Sequence, residues 1–344
     1  MKKIFLLSCL CTLFFSCKKN NVENNPDIYV CGRANNQGTG LSAIIWKNGV
    51  GTFLSAINTY SGANSVFVSG NDVYAAGFEN LNINYQIPTY WKNGVPTYLT
   101  GPTGGGEAHS IFVSGTDVYV AGNEVIAGGS KIAKIWKNGV GTSLTDGVND
   151  GDATCVLVSG GDVYVAGYKY NYTTGRSNAT IWKNGVPTAL TTTIPSWINS
   201  VYVSGNDVYA AGYTYEGGTY NSAYLWKNGV GTKLTSSSTN PFINLFANTV
   251  YVSGNDVYVS GTATNGTTYF AVYWKNGVQT VLSNAAKESA ATSLVVSGND
   301  LYIVGNQNST TTGYDATLWK NDATSATKLN GNINQAYAFG LFVK

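Results

Sequence analysis

The tripeptide Trp-Lys-Asn begins at Trp46, Trp91, Trp136, Trp182, Trp226, Trp274 and Trp319, at spacings of 45, 45, 46, 44, 48 and 45 residues. Gly follows in the first six copies and Asp322 in the seventh. Two further motifs keep step with it. An Asp followed by a branched residue and Tyr opens at Asp27, Asp72, Asp117, Asp162, Asp207, Asp256 and Asp300. Ahead of the last six of these stands an apolar triplet ending in Ser-Gly, from Val66-Phe-Val-Ser-Gly to Leu294-Val-Val-Ser-Gly. A period near 45 residues made of short β segments points to sheets repeated around an axis.

One repeat shows the elements. Val201 to Val203 reads as a first strand, a, and Ser204 to Asp207 as a tight turn. Asp207 to Ala211 reads as strand b, Gly212 to Asn221 as a Gly/Tyr/Thr-rich loop, and Ala223 to Lys227 as strand c. Asn228-Gly229 is a strong hairpin signal, because a type I′ turn needs positive φ at both central residues. Strand d follows from Val230. The apolar runs scarcely alternate, as expected of sheets covered on both faces. The fixed Trp of strand c supplies a large apolar slab to each contact between sheets. The chain starts at a b strand with no a before it. It ends in Phe339-Gly-Leu-Phe-Val343, an a strand with no b after it. The fold class is therefore all-β: a seven-bladed β-propeller of four-stranded antiparallel blades over residues 27–344, closed by pairing of the C-terminal strand with the N-terminal ones, which leaves no open edge.

Residues 1–16 carry Lys2 and Lys3 and then an apolar run of about a dozen residues, too short to span a bilayer comfortably. The run ends in Leu13-Phe14-Phe15-Ser16-Cys17, which resembles the lipobox of bacterial lipoprotein signal peptides, although Phe15 is larger than the residue usual there. The resemblance implies cleavage before Cys17 and its lipidation, with residues 17–26 as a polar tether. It also implies a lipid-anchored location in the cell envelope, with Lys18 favouring the outer membrane. The membrane is thus an expected partner through the anchor.

Without Lys2 and Lys3 the 20 basic residues become 18, matching 18 acidic ones. No basic run survives, so no nucleic-acid partner is expected. Cys31 and Cys155 fall in strands of the first and fourth blades and read as small buried thiols. His109 is the single His, no Cys-x-x-Cys exists, and no nucleophile-elbow motif is present, so no cofactor, metal site or catalytic residue is assigned. Asp146, Asp150 and Asp152 lack the ligand spacing of a calcium loop.

The a–b and c–d turns are short and uniform and share one face. The b–c loops and d–a crossovers vary and share the other, which makes that face the candidate binding surface. Its expected binding residues are Tyr85, His109, Tyr170, Tyr172, Trp197, Tyr215, Tyr220, Tyr269 and Tyr314. Tyr and Trp combine a flat apolar face with a polar tip, which suits a sugar ring or a protein partner. Asn64, His109, Thr154, Asn199, Asn248 and Thr292 begin successive a strands. They should ring one mouth of the axial channel and satisfy backbone groups there. The seven repeated Asp should accept hydrogen bonds from local backbone N–H groups. The Lys after each Trp should be solvated or propped on a neighbouring turn.

Residues 27–344 resemble seven-bladed propellers in general, and with the N-terminal address the chain resembles propeller lipoproteins of Gram-negative bacteria such as Bacteroidetes. It lacks the Trp-Asp ending of WD40 repeats, the double Gly of kelch repeats and the sialidase box. The resemblance therefore implies a fold and no particular chemistry. The expected function is a non-enzymatic binding scaffold of the cell envelope, taking a glycan or an envelope protein on the variable face. The alternatives are a glycan-active hydrolase or lyase using the loop acids Glu79, Glu107, Glu124, Glu216 and Asp315, and a structural subunit of an envelope complex.

Overall fold

The computed structural model describes residues 25–344 apart from 38–39, 58, 83–84, 102–103, 127, 192, 218–219, 237–241, 284–286 and 310–312, and the side chain of residue 82. The expected signal peptide and Cys17 lie outside the described residues.

The described residues form seven four-stranded antiparallel sheets. Six are built from consecutive strands. In the first, the C-terminal strand Ala336–Val343 is innermost, beside Ile28–Asn35, with Leu41–Lys47 and Val50–Phe53 outside it. Ile28 pairs with Val343, Tyr29 with Phe342 and Val30 with Leu341. Asp27 and Lys344 exchange backbone hydrogen bonds of 3.0 and 2.9 Å. The last strand thus closes the ring, as the unpaired chain ends require.

Each Trp of strand c is at most 2% exposed and packs into a cluster shared by two neighbouring blades. Trp274, for example, meets Val250 and Val259 of its own blade and Tyr209 and Ala223 of the preceding one. The Asn-Gly turns have φ near +51° at Asn and +82° at Gly, the type I′ geometry that favours these two residues.

The uniform face carries seven copies of one clasp. In the fifth blade Asp207 Oδ1 accepts from Asn228 Nδ2 (2.7 Å), Lys227 Nζ stands 2.7 Å from Asp207 Oδ2, and Asn228 Oδ1 accepts the N–H of Val208 (2.8 Å). The Lys227 ammonium lies 5.3 Å from the centre of the Tyr209 ring. The Lys227 ammonium and the Asn228 amide hold the Asp207 carboxyl below its usual range. This corrects one expectation. The repeated Asp accepts from Lys and Asn side chains, and the backbone N–H goes to Asn, because the αL conformation turns the Asn side chain back onto the neighbouring a–b turn.

The strands also run further than expected. In the fifth blade they span Ser196–Ser204, Asp207–Glu216 and Tyr220–Lys227. The stretch expected to be a loop continues the ladder, with Tyr213 opposite Ala223 and Tyr215 opposite Asn221. Alternating Tyr and Thr are good strand formers and carry the sheet past Gly212.

Candidate functional site

A cavity of about 380 Å³ sits on the axis. It is lined by Asn64, His109, Thr154, Asn199, Asn248 and Thr292, the six residues expected there, and by Phe339 in the seventh place. Each stands at a β-bulge in its inner strand, for example between Ala63 and Ser65 and between Ile198 and Ser200. A bulge re-aims one side chain, here toward the axis. The facing residue of strand b is always Gly. A Cβ on Gly77, Gly167, Gly212 or Gly305 would lie 1.8–1.9 Å from the carbonyl oxygen that the bulge pushes across. The once-per-blade Gly is therefore a close-approach requirement, legible in the repeat.

Five ring residues tie their blade to the next. Asn64 Nδ2 donates to Ala108 O (3.0 Å), Thr154 Oγ1 to Ile198 O (2.7 Å), Asn199 Nδ2 to Ala247 O (2.9 Å), Asn248 Nδ2 to Ala291 O (2.8 Å) and Thr292 Oγ1 to Ala338 O (2.9 Å). This polar collar satisfies backbone groups, as expected. It departs from its pattern at Phe339, which has no donor, and at His109.

His109 Nε2 stands 3.1 and 3.2 Å from the two carboxylate oxygens of Asp152 in the next blade, and Asn123 Nδ2 donates to Asp152 Oδ1 (3.0 Å). Burial opposes charge on His109, but the Asp152 carboxylate outweighs it, aided by Glu107, and raises the imidazolium pKa to about 9. Asp152 is buried, which disfavours its charge, yet His109 and Asn123 hold its carboxyl below the usual range. At neutral pH the two form an ion pair.

Two residues upstream of each collar position stands a second tier: Gly62, Glu107, Asp152, Trp197, Phe246, Ala290 and Tyr337. It pairs in register with Phe78, Asn123, Tyr168, Tyr213, Thr262, Asn306 and Arg33. The tier differs by sector. Glu107, Asn123, His109 and Asp152 form an acid and imidazole wall on the third and fourth blades. Tyr168, Trp197, Tyr213 and Phe246 form an aromatic arc on the fourth to sixth, with Trp197 stacked on Tyr213 at 5.0 Å and Tyr213 edge-on to Phe246 at 5.1 Å. Arg33 stands on the first blade against Tyr337 and Phe339. Below the collar, Phe67, Phe112, Leu157, Tyr202, Tyr251, Val295 and Phe342 occupy one place in successive inner strands. Phe67 lies 4.7 and 5.0 Å from its neighbours Phe112 and Phe342.

Of the residues expected to bind ligand, His109 lines the axial cavity, and Trp197 stands two residues before the lining residue Asn199, stacked on Tyr213. The others are spread over the blades, and all but Tyr172 lie on strands rather than loops. Tyr172 donates to Asp150 (3.0 Å) and meets Tyr170 edge-on at 4.8 Å. Tyr314 donates to Glu288 (3.0 Å). Tyr85, Tyr215, Tyr220 and Tyr269 are exposed. Arg33, Phe246 and Tyr337 were missed because each is unique in its repeat position.

Of the five loop acids, Glu107 accepts from Asn64 (2.8 Å) beside the His109–Asp152 pair, and the other four are tied to separate partners. Glu79 accepts from Ser55 and Tyr98, Glu124 pairs with Lys134, Glu216 with Lys233 and Asp315 with Lys328. Asp146, Asp150 and Asp152 also diverge, to Lys169, Tyr172 and His109. Cys31 and Cys155 are free thiols. Burial pushes the Cys31 thiol up to about 12.

No family model matches the chain, and no curated protein matches it. Solved structures do. A puromycin-hydrolyzing peptidase of Mycobacterium tuberculosis matches with TM-score 0.58 and 13% identity, over 89% of this chain and 52% of that one. The acylaminoacyl peptidase of Pyrococcus horikoshii matches with TM-score 0.52 and 11% identity, over 88% and 50%. This chain thus spans about half the length of those two. The β-propeller domain of the Trilobed protease from Pyrococcus furiosus, described as having an open velcro topology, matches with TM-score 0.51 and 11% identity, over 88% and 91%. The ring here is closed instead, by the Ile28–Val343 pairing.

The shared property is the propeller fold. The comparisons also correct the expected function. The matched propellers belong to peptidases, not to glycan- or protein-binding envelope scaffolds or glycan hydrolases. The structure gives the physical reason. Apart from Tyr172, the aromatic residues expected to form a loop-borne binding face lie on strands, tied internally or scattered over the blades. The asymmetric chemistry gathers at the axis instead.

Proposed function

We propose that the chain is a peptidase-type propeller whose axial mouth receives a peptide segment. The observation that carries this reading is the division of one mouth into an acid and imidazole wall, an aromatic arc and a guanidinium. A peptide offers cationic, apolar and anionic groups within a few residues, so one extended segment can meet all three. The likeness to peptidase propellers over most of this chain supports the same reading. Below the collar the axis continues into a second cavity of about 500 Å³ with apolar walls that include Phe112, Tyr202, Tyr251 and Phe342. The chemistry of cleavage is not assigned to these residues. With the N-terminal address, the module is held at the envelope membrane by lipid on Cys17.

Fluorescence anisotropy of the full chain with labelled hexapeptides, beside labelled oligosaccharides, tests this. Saturable peptide binding that weakens at least about fivefold in Trp197→Ala, against an unchanged Tyr269→Ala, is the expected result. Binding of the sugars alone, or peptide binding indifferent to Trp197, overturns it.

A further inference from the structure

We propose that Arg33 is a carboxylate anchor at the rim of the axial mouth, and that the group it takes is the free α-carboxylate of a peptide. The ligand class rests on the peptide-receiving reading; the anion site does not.

The guanidinium carbon lies 5.2 Å from the centre of the Tyr337 ring, 5.6 Å from Phe339 and 5.9 Å from Tyr60. Phe339 is itself part of the cavity lining. Nη1 donates to the Tyr60 hydroxyl at 2.9 Å. Nε is buried and has no acceptor among the described residues, and no carboxylate there pairs with Arg33. The contrast with the lysines is informative: all seven clasp lysines pair with an Asp at 2.7–2.8 Å.

A buried N–H without an acceptor is costly, and an Arg kept among rings presents its planar fork in a weakly hydrated setting. Nε and Nη2 form the fork edge that matches the two oxygens of a carboxylate. Tyr60 is 39% exposed, and its hydroxyl holds Nη1, outside that edge. A carboxylate on the Nε–Nη2 edge adds a charged, bidentate partner while Tyr60 keeps its hold on Nη1. Tyr337 and Phe339 then flank the ligand's terminal side chain, which favours an apolar C-terminal residue.

The probes are N-acetyl-phenylalanine, its amide, inorganic phosphate, and a labelled hexapeptide ending in Phe as acid or amide, each titrated against the full chain. The acid forms should bind about tenfold more tightly than the amides, the effect of one charge-assisted bidentate pair. Arg33→Gln should abolish the difference and Arg33→Lys should restore part of it. Tyr60→Phe, which removes the bond to Nη1 and leaves the Nε–Nη2 edge in place, should keep the preference for acid over amide. Discrimination shown by N-acetyl-phenylalanine with no hexapeptide bound keeps the anion anchor and overturns the peptide reading. Equal binding of acid and amide, tighter binding of phosphate than of either acid, or loss of the acid preference in Tyr60→Phe overturns the anchor itself.

Discussion

His109 of the third blade and Asp152 of the fourth stand 3.1 Å apart, Nε2 to Oδ1, where the collar's blade-to-blade hydrogen bond gives way to an ion pair. His109 carries a folded pKa near 9 against an ordinary 6.5. Its contribution to stability is therefore fully present below about pH 6.5 and is lost as pH rises toward 9. The free energy of unfolding, read from denaturant titrations, should fall between those pH values by on the order of 3 kcal/mol. His109→Gln should flatten that descent. A wild-type profile already flat from pH 6.5 to 9 would contradict the pairing.

Gly212 stands opposite the bulge at Asn199, where an added Cβ would lie 1.9 Å from the Trp197 carbonyl oxygen. Backbone cannot yield as a flexible side chain can, so Gly212→Ala should cost more than about 3 kcal/mol or prevent folding. Gly40 has nothing within 4 Å of a built Cβ, and Gly40→Ala should stay within about 0.5 kcal/mol of wild type. Thermal melts of the two variants check both.

The clasp on the uniform face separates geometry from charge. Asn228 holds φ +51° and bonds both Val208 N and Asp207 Oδ1. Asn228→Ala should cost about 1–2 kcal/mol from strain and the lost hydrogen bonds. Lys227→Met removes an exposed ion pair and should leave stability close to wild type. The reverse order in unfolding experiments would show the charge pair to be the working part.

Much of the fold was legible in the sequence because repetition averages away local ambiguity. Seven Trp-Lys-Asn motifs, the Asn-Gly turns and the split first blade fix strand order and closure, and the polar residue before the Ser, Thr or Cys of six inner strands locates the collar. The strand limits were less legible, because Tyr213-Thr214-Tyr215 beside Gly212 satisfies both loop and strand patterns. The mouth was least legible. Its character comes from residues that break the repeat, namely Arg33, Asp152, Tyr213 and Phe246, and their meeting depends on which residue of one blade faces which of the next. The clasp shows the same limit in small: the sequence marks Asp207 and Asn228 as turn residues, but not that one accepts from the other.

Cys17 is the proposed site of the anchor. Cys17→Ser should move the protein from the membrane fraction to the soluble fraction and abolish labelling by a fatty-acid analogue. Retention on membranes with unchanged labelling would place the lipid elsewhere.

The most direct test of the axial mouth as the receiving surface is covalent mapping. A hexapeptide carrying a photo-crosslinking group is bound to the full chain, irradiated, and the adducts are located by mass spectrometry. Adducts should fall on the strands bearing Arg33, His109, Trp197 and Tyr337. Adducts confined to the outer strands, such as Val230–Lys233, or to the Ser204–Asp207 turn of the uniform face would contradict it.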